Sequence, residues 1–297
     1  MALSVTAASK RRNRLTTKEY EALDKQLWWI ASQQHPISVR GLYYQAEVAG
    51  LVEKTEKGYG LVQRRCLLMR RENTIIFPYW WITDNSRNVW RLDRYDDTSE
   101  FMSGVAELYR RNYWATEDVR VEVWIEKEAL SGVIYGTVVQ DWGVDLYVQK
   151  GFSSASYIYN AAETIKTVGK PTHIYVLSDF DPSGKCSLAK IEPELKRHLG
   201  NEIPIWVHDL AVTPAQIRKW KLPTRPTKKK DNSHYVRFKA EYGGLADQSC
   251  ELDAIKPVDL RAMVSAAIAK HWSNKHSLGM LKTIEEEERQ AISDMRL

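Results

Sequence analysis

Three carboxylates and a pair of phenols are the side chains here whose types and spacing suit chemistry. Glu126 directly follows the apolar run 121–125, and Asp179 and Asp181 follow a second run at 173–177. If both runs are strands, the three acids converge at one edge of a parallel sheet, beyond the strands' carboxyl ends, where open α/β sheets bind ligands. A hard oxygen set of this kind suits Mg2+, and Mg2+ most often serves phosphate chemistry. Far upstream, Tyr43 and Tyr44 sit in a basic segment. A phenol, with a reference pKa of about 10, becomes a useful nucleophile only where cations favour the phenolate. Arg40 lies four residues before Tyr44, on the same face of a helix. It is placed to stabilise both the phenolate and the charge developing on phosphorus. Metal and tyrosine together point to an enzyme that breaks or passes DNA strands.

Each feature has a plainer reading. Asp179 and Asp181 also fit a turn whose carboxylates cap the following helix. A Tyr-Tyr pair on an amphipathic helix also fits core packing. Convergence with Glu126 favours the site over the turn. Two other motifs fail on their spacing. Residues 179–184 resemble the start of a calcium-binding loop, but Lys190 stands where the closing glutamate belongs. Gly184-Lys185 resembles the end of a phosphate-binding loop, but Asp179 stands where its first glycine belongs.

The elements that must position these residues can be read from periodicity and breakers. Helical spacing over 17–32 and 38–51 is capped by Thr16 or Thr17 and by Ser38. Gly58 and Gly60 read as a break before a third, arginine-rich helix over 61–71. Residues 74–82, with Pro78 inside, read as a wing rather than a central strand. This is the pattern of a winged helix, a helix-turn-helix variant. Downstream, strands at 119–125, 146–149, 173–177 and 203–208 alternate with helices at 127–140, 153–167 and 184–199. Such alternation predicts a parallel sheet covered on both faces. A polar loop follows at 222–233, then helices at 257–272 and 278–295. The expected fold class is α/β. Its divisions are a winged-helix domain over 1–95, a connecting segment over 96–118, and a sheet domain with a helical extension over 119–297.

Composition narrows the setting. The chain of 297 residues carries a formal charge of +5, with 43% apolar residues, enough for two cores. Basic residues cluster at 10–14, 64–71 and 219–230, and could line one groove for a nucleic-acid backbone. Arg64, Arg65, Arg70, Arg71, Lys127, Lys228, Lys229 and Lys230 are therefore candidate contacts to DNA phosphates, with solvated surface or structural ion pairing as the alternative. Trp28, Trp29, Trp80 and Trp81 read as core or interface residues rather than base-stacking platforms. Residues 151–154 read as a tight strand-to-helix turn. The seven histidines show no ligand spacing, and the three cysteines are isolated. A reducing compartment is expected, without zinc. No run approaches the roughly 20 apolar residues needed to span a bilayer, and the basic N-terminus has no export core. A cytoplasmic protein is expected.

Three segments together resemble the signature of a Toprim domain: Trp124-Ile125-Glu126-Lys127, Gly151-Phe152-Ser153-Ser154 and Asp179-Phe180-Asp181-Pro182-Ser183-Gly184. The Glu-Lys pair and the Asp-x-Asp-Pro-x-Gly form are most similar to the topoisomerase VI A subunit and the related meiotic double-strand-break transesterase. Ser38-Val39-Arg40-Gly41-Leu42-Tyr43-Tyr44 is similar to the segment of that family that carries its nucleophile. The second tyrosine of the pair attacks DNA there, which nominates Tyr44 over Tyr43. The resemblance further implies that Glu126, Asp179 and Asp181 bind Mg2+, with Glu126 also serving in proton transfer. It implies a 5′-phosphotyrosyl link to double-stranded DNA. It also implies a homodimer in which tyrosine and metal come from different protomers. The chain is shorter than a full A subunit and looks most like the reduced "mini-A" proteins of phages and mobile elements. No nucleotide-binding pattern occurs, so any GHKL-type ATPase B subunit would be a separate chain. The competing expectations are a Toprim nuclease that hydrolyses DNA, and a DNA-binding protein without catalysis.

Overall fold

The computed structural model describes residues 15–72, 77–83, 94–149, 155–200, 202–227, 233–273 and 276–295. Helix α1 (Thr17–Gln34) opens on a capping box in which Thr16 and Glu19 satisfy each other's backbone groups. A two-residue strand β1 (Ile37–Ser38) runs into α2 (Val39–Val48), whose N-cap is Ser38, accepting from the Gly41 N–H at 3.0 Å. Helix α3 (Glu56–Glu72) starts earlier than expected. Gly58 and Gly60 lie inside it rather than breaking it. A Cβ on Gly58 would stand 2.2 Å from the Glu53 carbonyl oxygen, so that glycine answers a close backbone approach. The expected wing falls partly outside the described residues. Its described part is a 3-10 turn, Tyr79–Trp81, and a short strand β2 (Ile82–Thr83) paired in parallel with β1. Leu27, Ile30, Leu42, Val62, Met69 and Trp81 fill the core between the three helices.

Helix α4 (Thr98–Leu108) occupies the segment expected to be a plain connection. Strand β3 (Arg120–Ile125) leads into α5 (Glu128–Tyr135), which widens into a π-helical stretch, Gly136–Asp141. Then come β4 (Asp145–Val148), α6 (Ala155–Val168), β5 (Thr172–Leu177), α7 (Pro182–Leu199) and β6 (Ile205–Ala211). The four strands form one sheet in the order β4-β3-β5-β6, parallel throughout, as the alternation predicts. Period-two alternation sorts their side chains. Val121, Val123 and Ile125 face one apolar core, while Trp124, Ile174 and Val176 face the other with Ile158, Ile165 and Leu195.

Of the expected polar loop at 222–233, residues 228–232 lie outside the described residues, and the stretch from β6 to α10 around it carries short elements. It holds α8 (Pro214–Trp220), then β7 (Arg225–Pro226), α9 (Ser233–Tyr242) and β8 (Gln248–Ser249), with β7 and β8 antiparallel. Helices α10 (Pro257–Ala269) and α11 (Leu278–Ser293) close the chain. Leu260, Val264 and Ile268 of α10 join the core that also takes Val133 and Ile134 of α5. Helix α11 is tied to the segment after α4 by Arg111–Glu288, and braced internally by Arg289–Glu285. Among the described residues no helix is long and apolar enough to cross a membrane.

Candidate active site

Two backbone contacts bring the site together. Glu126 lies one residue past β3, and its N–H donates to the Leu177 carbonyl at 2.9 Å, which aligns the ends of β3 and β5. Phe180 and Cys250 then exchange backbone hydrogen bonds at 2.8 and 3.0 Å, docking residues 250–254 against the loop after β5. Within that loop the Asp179 N–H donates to Glu126 Oε2 at 3.3 Å. Asp181 caps α7, accepting from the Gly184 N–H at 2.8 Å, so the capping reading of this acid holds. Gly184 is required by crowding. A Cβ there would lie 2.6 Å from the Asp179 carbonyl oxygen and 3.1 Å from Glu126 Oε2.

The carboxylates feel one another. Burial raises Glu126 most, and the charges of Asp179 and Asp181 add to it, pushing it up to about 7. Asp179 is also raised by burial, against the pull of Lys127 and of the Leu252 N–H, which donates to its Oδ1 at 2.8 Å. Lys127 Nζ stands 2.9 Å from Asp179, 2.8 Å from Asp253 and 3.3 Å from Glu251. Burial alone would lower Lys127; those three carboxylates reverse the sign and hold it firmly protonated. Its charge is thereby spent inside the chain, and the expected phosphate contact gives way to the role of an ion-pair hub.

From this hub the network reaches the tyrosines. Glu251 also pairs with Arg40 Nε at 3.3 Å and with Arg225 Nη1 at 2.7 Å. Burial pushes Glu251 upward, but Lys127, Arg40 and Arg225 together hold it below the usual carboxylate value. The Tyr44 phenol feels the charges of both Glu251 and Arg40. Arg40 is therefore beside the phenol as expected, but its effect is outweighed. Burial first, and the Glu251 charge second, raise Tyr44 and keep the phenol protonated. Both tyrosines are only 6% exposed and belong to the core of the three-helix unit. Tyr43 is the more conventional core residue, its hydroxyl reaching the Thr55 carbonyl at 3.4 Å.

Sequence reasoning missed Glu251, Asp253 and Lys185. Lys185 is buried on Asp209, at 2.7 and 2.6 Å, and burial lowers it. The available signal was the Glu251-Leu252-Asp253 spacing, a second acid-x-acid triplet, which follows only the two-residue β8.

The candidate DNA contacts divide. A groove of about 930 Å3 lies between the three-helix unit and the start of α5. Arg40, Arg64, Arg70 and Lys127 line it, with Glu128 and Asp253 opposing them. Arg65 is instead a structural residue, bidentate on Asp24 at 2.8 and 2.5 Å. Arg71 is exposed on the last turn of α3. Lys228, Lys229 and Lys230 lie outside the described residues, as do 10–14 and 151–154.

No protein-family model matches the chain, and no curated protein matches it significantly in sequence. The site must speak through its chemistry. Among the described residues, no three Asp, Glu, His or Cys side chains gather closely enough to enclose a metal ion. The donor set nonetheless suits Mg2+, which completes its shell with water and needs only one or two carboxylates. Glu126 is raised first by burial and then by the charges of Asp179 and Asp181, and the second of these is what a bound cation relieves. Glu126, Asp179 and Asp181 are the residues on offer to it.

Proposed function

We propose that this chain is a Mg2+-dependent DNA-cleaving transesterase of the type IIB topoisomerase A-subunit kind. In this reading the three-helix unit is a winged-helix cleavage module and the parallel sheet a Toprim domain. The observation that carries it is the ion-pair network that runs from Asp179 at the acidic edge of the sheet through Lys127 and Glu251 to Arg40, one helical turn before Tyr44. Arg40 sits on this chain and also lines the basic groove, where a phosphate would meet it. Mg2+ held by Asp179, Asp181 and Glu126 would supply charge stabilisation at the scissile phosphate.

The residues of the chain do the rest. Duplex DNA lies along Arg64 and Arg70, and Arg40 turns from Glu251 toward the incoming phosphate. That exchange weakens the hold on the Tyr44 hydroxyl, which passes its proton toward Glu251. The Tyr44 oxygen then forms a bond to phosphorus as the bond to the 3′ oxygen breaks, and the leaving oxygen takes up a proton. One phosphodiester is exchanged for another, so the strand can be resealed without an energy source. A homodimer would place two such cuts in one duplex.

One observation favours a second reading. Tyr44 is nearly inaccessible and is held protonated, first by burial and then by Glu251, which suits a Toprim nuclease that hydrolyses DNA and leaves the phenol idle. Denaturing the protein after incubation with labelled DNA and Mg2+ separates the two. A covalent adduct that disappears in Tyr44→Phe is the expected result. Free ends produced by that variant would establish the nuclease, and binding without cleavage would reduce the chain to a DNA-binding protein.

A further inference from the structure

The four tryptophans of the three-helix unit do not share one fate. Trp81 is buried, stacked on His35 at 5.1 Å and packed against Trp28 at 5.8 Å, so this pair follows the core reading. Trp80 and its neighbour Tyr79 turn outward instead and are 64% and 63% exposed. Large rings left this open on a surface signal a binding site more often than chance. Their surroundings say what would bind. Arg70, which lines the basic groove, holds its guanidinium 5.2 Å from the centre of the Tyr79 ring. Among the described residues no ring lies flat on Trp80: His35 and Trp81 meet it at 85° and 87°. The backbone that carries it is a 3-10 turn, Tyr79–Trp81, closed by the Trp81 N–H bond to the Pro78 carbonyl at 3.1 Å.

We propose that Tyr79 and Trp80 form a stacking platform for unpaired nucleobases beside the arginine-lined groove. The occupant is a single-stranded stretch of nucleic acid. Its phosphates are drawn by Arg64, Arg70 and the exposed Arg71, and its bases lie on the two rings. Every base has a π-face, so such a platform is indifferent to sequence, and phosphate attraction supplies the rest. A paired duplex keeps its bases stacked on each other and cannot use these rings. The platform therefore adds strand-state selectivity that the groove alone lacks. It works independently of Tyr44, so it stands or falls apart from the cleavage reading.

The test is binding of two labelled probes to the full chain by fluorescence anisotropy. One is an oligothymidine of about 16 nucleotides, and the other a blunt duplex of the same length. Replacing Tyr79 and Trp80 together by alanine is expected to weaken the single strand about tenfold or more, and the duplex less than about twofold. Trp80→Phe should retain most of the single-strand affinity, since a flat ring remains. The two rings are exposed, so the alanine variant should keep the parent's circular dichroism. Equal losses on both probes, or no loss on either, would overturn the platform. So would a change from dimer to monomer in sedimentation of the alanine variant, which would assign the rings to a second copy of the chain.

Discussion

The two ends of β5 solve the same problem in opposite ways. At its carboxyl end, Asp179 is taken out of water together with Asp253 and Glu251, and all three gather around the one cation of Lys127 at 2.8 to 3.3 Å. Near its start, His173 lies against His208 at 3.0 Å, while Tyr175 meets His271 at 2.8 Å. Burial lowers all three histidines, so this cluster stays neutral. One end keeps strong fields by pairing ions, and the other avoids fields by shedding protons. Chemistry on phosphate needs the first arrangement, because only fixed charges can stabilise a charge that develops elsewhere. The histidine cluster, stacked ring on ring with Trp206, is packing.

The most severe way to break this contrast is to remove the cation from the charged end. Lys127→Met keeps most of the side chain's length but takes the cation from Asp179 and Asp253, while Glu251 keeps Arg40 and Arg225. Breaking a buried ion pair on one side costs about 3–5 kcal/mol. Urea unfolding should therefore show a large fall in midpoint without a change in slope. A loss under about 1 kcal/mol would mean that water or protons already neutralise the carboxylates, and the hub would lose its standing.

A milder change sharpens the picture at the tyrosine. Glu251→Gln removes the charge that raises Tyr44 while keeping the shape of the side chain. Arg40 is then opposed only by burial, and Tyr44 should ionise at lower pH than in the parent. Carbon-13 labelling of the tyrosine rings, with Tyr44→Phe to assign the resonance, follows this directly. An unshifted titration would show that burial alone raises the phenol and that Glu251 is a bystander.

How far the site could be read beforehand follows from the same contrast. Glu126, Asp179 and Asp181 were legible because each ends an apolar strand, and strand ends in a parallel sheet fall together by topology alone. Glu251 and Asp253 were not. They reach the site through the pairing of Phe180 with Cys250, a contact spanning much of the sheet domain that no local pattern encodes. Arg40 was placed correctly beside Tyr44 and does pull the phenol down as expected, but burial, joined by a carboxylate the sequence did not reveal, outweighs it. Gly58 misled for a related reason: glycine marks either a break or a close approach, and only the Glu53 carbonyl decides which. The parallel sheet followed from alternation, whereas the small elements between β6 and α10 are held by tertiary contacts and left little periodic trace.

The smallest expected effect lies at the neutral end, and it carries a definite sign. Folding pushes His173 down to about 4, first through burial and then through His271 and His208. The unfolded chain, with histidine near its ordinary value of about 6.5, binds more protons than the folded one between those values. Stability from this cluster is thus complete above about pH 6.5 and drains away as pH falls toward 4. Lys270, which also lowers His208 and His271, works in the same direction. His173→Phe should flatten the acid limb of a plot of thermal midpoint against pH, since a phenyl ring can keep the stack on Trp206 without a proton to lose. The ion-paired end should show no such relief in that variant. If the acid limb is unchanged, the three rings are solvated enough to protonate while folded, and the contrast between the two ends of the strand reduces to one of composition.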